Sequence, residues 1–137
     1  MYSIKLTPQQ AEQLSPAAWA YLGDAIYELY IRSWFLLPPK RLQLYCRQVV
    51  AQVRAEAQAH QVQLLQPHLS EKEQEILRRG RNTTSKGPKR VAPEIYQQAT
   101  SFETLIGYLY LTNPERLSEL SNYLKLDPEP DLDQSPE

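Results

Sequence analysis

With 137 residues the chain has the length of one ordinary domain, long enough to bury a core without disulfides and too short for a multidomain enzyme. Fifteen Lys and Arg stand against sixteen Asp and Glu, and the net charge of −1 argues against a uniformly basic nucleic-acid binder. That average conceals two regions: residues 127–137 (DPEPDLDQSPE) hold five acids and no base, so residues 1–126 carry fifteen bases against eleven acids.

In chain order, the start MYSIKLTPQQ has no apolar stretch behind a basic one, as a secretory leader would. Thr7-Pro8 followed by Gln10 then opens a short helix, because Pro is tolerated at the first helical position and the Thr hydroxyl can accept from orphan amides. Ser15-Pro16 opens a long apolar helix through about Leu36, which Pro38-Pro39 ends. KRLQLYCRQVVAQVRAEAQAHQVQLLQ keeps mostly helical apolar spacing up to Pro67 and predicts one further long helix. Ser70 with Glu73 is a capping box for SEKEQEILRR. Residues 80–93 (GRNTTSKGPKRVAP) have the Gly, Pro and Ser/Thr/Asn content of a loop, Pro93 starts the helix EIYQQATSFETLIGYLYL, and Asn113-Pro114 opens the last helix, through about Leu126. No alternating strand pattern and no internal repeat occur, so the expected fold class is all-α with about six helices. Cys46 has no partner for a disulfide, His60 and His68 are isolated, and no run approaches the ~18 apolar residues of a membrane span. A cytoplasmic protein without membrane contact is expected.

Two of the four glycines fall inside helical patterns, where Gly costs about 1 kcal/mol relative to Ala and needs a packing or functional reason. Gly23 precedes Asp24 in AWAYLGDAIYELY, and Gly107 lies one turn after Glu103 in ATSFETLIGYLYL. Close approach of the two helices would bring Asp24 and Glu103 together. Their apolar neighbours predict buried carboxylates, which must be paired or bind a cation. The plainer reading is two solvated acids on amphipathic helices. Glu28, one turn beyond Asp24, is a candidate to orient a metal-bound water or is simply ion-paired.

The positive surplus concentrates in residues 78–90 (RRGRNTTSKGPKR), which hold Arg78, Arg79, Arg81, Lys86, Lys89 and Arg90 and no acid. Such bases neutralise phosphates, and Asn82, Thr83, Thr84 and Ser85 add hydrogen-bond donors for backbone oxygens. The alternative is a solvated loop after a helix whose terminal bases complement its dipole.

In AYLGDAIYELYIR, ILRRGRNTTSKGPK and ATSFETLIGYLYL, in that order, the chain resembles the ribonuclease III endonuclease domain, most closely the compact Mini-III branch that lacks a double-stranded-RNA-binding domain. The resemblance spans roughly residues 15–124. It implies a ribonuclease III-like helical bundle within residues 1–126, while the acidic, Pro-rich composition of residues 127–137 predicts a disordered tail. It also implies a homodimer and Mg²⁺-dependent cleavage of double-stranded RNA, leaving 5′-phosphate and 3′-hydroxyl ends. For the Mini-III branch it implies maturation of the 23S ribosomal RNA precursor, and a ribosomal protein is a further candidate partner. Asp24 and Glu103 match the family's metal-binding carboxylates. Where ribonuclease III proper has a further glutamate and aspartate, this chain has Ala20 and Thr100, as the Mini-III branch does.

Two carboxylates suffice for Mg²⁺, which keeps several waters and takes phosphate oxygens from its substrate. The expected site is therefore Asp24 and Glu103 holding Mg²⁺, with residues 78–90 on the RNA backbone, read by shape because side chains cannot enter the deep A-form groove. Trp19, Tyr27, Tyr30, Trp34 and Phe35 offer apolar surface for a dimer, although at least half are expected in the core. The rivals are a non-catalytic RNA-binding protein of the same fold in ribosome assembly, and a helical adaptor whose basic loop binds an acidic protein.

Overall fold

The computed structural model describes residues 4–83 and 87–126. Its helices are α1 (Pro8–Glu12), α2 (Pro16–Trp34), α3 (Leu42–Val53), α4 (Ala55–Leu65), a 3₁₀ turn (Gln66–His68), α5 (Glu71–Thr83), α6 (Pro93–Thr112) and α7 (Pro114–Ser121). There is no strand among the described residues, and the fold is all-α. The acidic residues 127–137 lie outside the described residues.

The helix starts follow local chemistry. Thr7 and Gln10 form a reciprocal capping box, and Ser15 Oγ accepts from the Ala18 amide at 3.1 Å. Ser70 and Glu73 bond reciprocally at 2.8 and 3.2 Å, and Asn113 Oδ1 accepts from the Arg116 amide at 3.1 Å. Four of the helices begin with Pro, whose missing N–H is an orphan there anyway.

Three boundaries differ from the sequence expectation. The long helix expected between Pro39 and Pro67 is two helices, α3 and α4, broken at an extended Arg54 (φ −67°, ψ 158°). Neither Gly nor Pro marks the break; instead Gln58 Nε2 donates to the Val53 carbonyl at 2.7 Å, in place of the amide a continuous helix would supply. Gly80 does not open the loop: α5 continues to Thr83 because Gly80 packs against α6, where an added Cβ would lie 2.6 Å from Thr104 Oγ1. The described residues hold seven α-helices rather than six, with α7 ending at Ser121.

α6 is the central element, buried along most of its circumference between Ala99 and Leu109 by α2, α4 and α5. Trp19 of α2 is fully buried, donates Nε1–H to the Ala11 carbonyl at 3.0 Å and meets Tyr108 edge-on at 5.0 Å. Tyr27 meets Phe102 in the same way at 4.8 Å. Arg116 ties α7 to α5 through a two-bond pair with Glu73 (2.8 and 3.0 Å), and also donates to the His68 carbonyl (2.7 Å).

The α2–α6 crossing is tighter than side chains would allow. A Cβ on Gly23 would lie 1.8 Å from the Glu103 carbonyl oxygen, and one on Gly107 would lie 1.9 Å from the Trp19 carbonyl oxygen. Each glycine thus faces the main chain of the other helix. Gly107→Ala is expected to force the pair apart and cost about 3 kcal/mol, the upper range for overpacking, even though Ala is the better helix former. Urea denaturation of the variant measures this directly.

Candidate active site

The glycine crossing sets the position of the two carboxylates. Asp24 follows Gly23 on α2, and Glu103 is the residue whose carbonyl Gly23 faces on α6. Their side chains are near enough for Asp24 to act on the Glu103 carboxyl. The burial expected from their apolar neighbours is corrected: Asp24 is exposed and Glu103 half-buried. Successive helical residues point about 100° apart, so Asp24 shares the outer stripe of Tyr21 and Glu28, while Gly23, Tyr27 and Ile31 face inward. The pair forms a rim site that a large substrate can reach.

The Glu103 carboxyl, ordinarily near 4.5, is pushed up to about 8. Burial is the largest cause, followed by the charge of Asp24 and the hydrogen bond between the two groups; a hydrogen bond from Gln58 pulls partly the other way. The Glu103 carboxyl therefore keeps its proton near neutral pH. A cation is the other means of keeping the two carboxylates together, and bound metal requires both groups ionised. Among the described residues no group of three or more His, Cys, Asp or Glu converges. Two carboxylates with open space beside them fit a divalent ion that keeps waters and takes phosphate oxygens.

Gln58 is the residue sequence reading missed. It is 3 % exposed, its Nε2 donates to the Val53 carbonyl at 2.7 Å, its carboxamide acts to lower the pKa of the Glu103 carboxyl, and its Oε1 has no partner among the described residues. One side chain thus joins the α3–α4 break to the carboxylate pair. A polar residue at a core-facing position of α4 was the available signal. Glu28 takes the plainer of its two readings, an exposed ion pair with Arg32 at 2.9 Å.

The basic stretch divides. Arg78 pairs with Glu75 within α5 (2.9 Å), while Arg79 ties α5 to α1 and α2, pairing with Glu12 (2.9 Å) and lying over the Trp19 ring at 4.8 Å. Arg81 is half-buried and engaged. Asn82, Thr83, Lys89 and Arg90 are exposed, and Thr84, Ser85 and Lys86 lie outside the described residues. Gly80 packs on Ser101 and Thr104, so the stretch leaves α5 close to the segment of α6 that carries Glu103.

The raised Glu103 carboxyl has a consequence for stability. The folded chain holds this proton to higher pH than the unfolded chain, so its contribution is complete below about 4.5 and is lost as pH rises to about 8. Metal-free protein is expected to lose stability across that window, and Glu103→Gln, which cannot ionise, to flatten the decline. Urea midpoints measured from pH 4 to 9 check both.

Residues 17–114 match the model of the Ribonuclease III domain family. The chain is 59% identical over 114 residues to the Mini-ribonuclease 3 of Thermosynechococcus vestitus, covering 83% of this chain and 76% of that one. It is 47% identical over 129 residues to the Mini-ribonuclease 3 of Synechocystis, covering 92% and 90%. A crystal structure of a Fusobacterium nucleatum protein superposes with a TM-score of 0.73 at 30% identity, over 79% of this chain and 90% of the other. On the match over residues 17–114 and these identities, the chain belongs to the ribonuclease III family, in its Mini-ribonuclease 3 branch, and is an endoribonuclease of ribonuclease III type.

Proposed function

We propose that the chain is a Mg²⁺-dependent endonuclease of double-stranded RNA, with Asp24 and Glu103 as its metal-binding and catalytic residues. The observation that carries this reading is the carboxylate pair, held at a main-chain-to-main-chain crossing in a chain of this family. When bound, Mg²⁺ supplies polarisation of the scissile phosphate and a lower pKa for an attacking water. Asp24, on the exposed side, meets the incoming phosphate; Glu103, half-buried, is held in place by Gln58. Because recognition runs through the backbone, the exposed donors Asn82, Thr83, Lys89 and Arg90 serve shape rather than base sequence. The likeness to the Mini-III branch supports the 23S ribosomal RNA precursor as substrate, a cytoplasmic setting and a ribosomal protein as accessory partner. No helix among the described residues is long and apolar enough to cross a membrane.

A two-fold dimer would set two such sites on one duplex. Trp19, Tyr27 and Phe35 are spent in the core and Tyr30 packs against it. The outward apolar surface lies on α2 and α3 instead: Leu29, Trp34, Leu36, Leu42 and Val50 are each more than half exposed, beside a groove of ≈ 370 Å³ between the two helices. Such a patch is what an obligate partner covers.

With duplex RNA and Mg²⁺, the wild type is expected to cut and Asp24→Asn to lose about 10³-fold in rate, about 4 kcal/mol of transition-state stabilisation, while still binding RNA. A wild type that binds without cutting would overturn the reading. Leu42→Glu with Val50→Glu is expected to convert a dimer to monomers in sedimentation; an unchanged sedimentation coefficient removes this face from the interface.

A further inference from the structure

α4 offers two neighbouring faces to two tasks. One carries Gln58 to Glu103. The next, through Ala57 and Gln61, lines a groove of ≈ 210 Å³ whose walls also include Arg54, His60 and Lys125. The walls are built rather than incidental. Gln61 is 2 % exposed and grips the main chain of Lys125 from both sides, Nε2 donating to its carbonyl at 2.7 Å and Oε1 accepting from its amide at 3.1 Å. Arg54 is fixed in extended conformation at the α3–α4 break. No acid lines the groove, and no ion pair joins Arg54, His60 or Lys125 to an acid among the described residues. Arg78, Arg79 and Arg116, by contrast, are each committed to carboxylates of the fold.

We propose that this groove is a second contact for the phosphate backbone of duplex RNA, apart from residues 78–90. The inference rests on the reading of the chain as a nuclease of double-stranded RNA. Gln58, which bears on Glu103, and Gln61, which lines the groove, stand three residues apart on α4, so one helix serves both places. A duplex laid across the pair and along α4 would bring its backbone to the groove. The chemistry suits phosphate: the lining combines the arginine fork of Arg54, the lysine point charge of Lys125 and the imidazole of His60. Contacts of this kind hold register and orientation without reading bases.

The test compares the wild type with the triple variant Arg54→Gln, His60→Gln and Lys125→Gln, using duplex RNA without divalent cations so that no cleavage intervenes. The variant is expected to bind at least about tenfold more weakly at low salt. Its plot of log affinity against log salt should flatten by about two, at roughly 0.7 to 0.9 for each phosphate that the protein no longer neutralises. With Mg²⁺, KM should rise while kcat at saturating RNA and the melting midpoint hold, and restoring charge with Arg54→Lys and Lys125→Arg should restore affinity. Wild-type affinity and salt slope in the triple variant overturn the proposal, as does a variant that loses heparin but keeps duplex RNA. If the wild type itself binds no duplex RNA, the functional reading falls and the groove with it; if it binds and cuts while the variant matches it, only the groove falls.

Discussion

The constraint on which the molecule depends is the contact of two helix backbones at Gly23 and Gly107. α6 runs through the middle of the bundle, and α2 can lie this close only because both crossing points lack a Cβ. The proximity is what lets Trp19 reach Tyr108 and Tyr27 reach Phe102 edge-on, so the largest aromatic contacts of the core share the cause of the site. It also places the residue after Gly23 beside the residue one turn before Gly107. The carboxylates are therefore positioned by main chain, the stiffest part of a helix, and not by the reach of long side chains.

This explains why so much of the site was legible in the sequence. A glycine inside a strongly helical pattern is costly, and two of them, each near an acid, point to a close crossing with a chemical use. The helix starts were equally plain, since Thr7, Ser15, Ser70 and Asn113 act within a few residues of themselves. What escaped depends on contacts distant in sequence. The break at Arg54 is held by a side chain four residues on that also answers to α6, and no local residue announces it. Arg79 looked like phosphate-binding charge until its partners, Glu12 and Trp19, came from the other end of the chain. The exposure of Asp24 was missed because apolar neighbours in sequence are not neighbours around a helix.

Charge follows the same division between local and distant. A net charge of −1 describes no part of this molecule. Several bases that dominate the sequence count are internal to the fold: Arg116 neutralises the buried Glu73, and Lys72 and Arg79 share Glu12. Removing such a pair's partner leaves a carboxylate without compensation, which is why these arginines cannot also be free to bind an external phosphate. The field available to a polyanion comes from bases without internal partners, a smaller and differently placed set than the run at 78–90 suggests.

The replacements at Ala20 and Thr100 take their meaning from the same crossing. Both positions are only 8 % exposed, one turn before Asp24 and Glu103 respectively. Carboxylates there would add two desolvated like charges next to a Glu103 that already holds its proton to about 8. With a methyl group and a hydroxyl instead, the crossing buries no further charge beside Glu103. Under the proposed reading, a cation at this pair would have two protein carboxylates, and water and substrate phosphate would complete its shell.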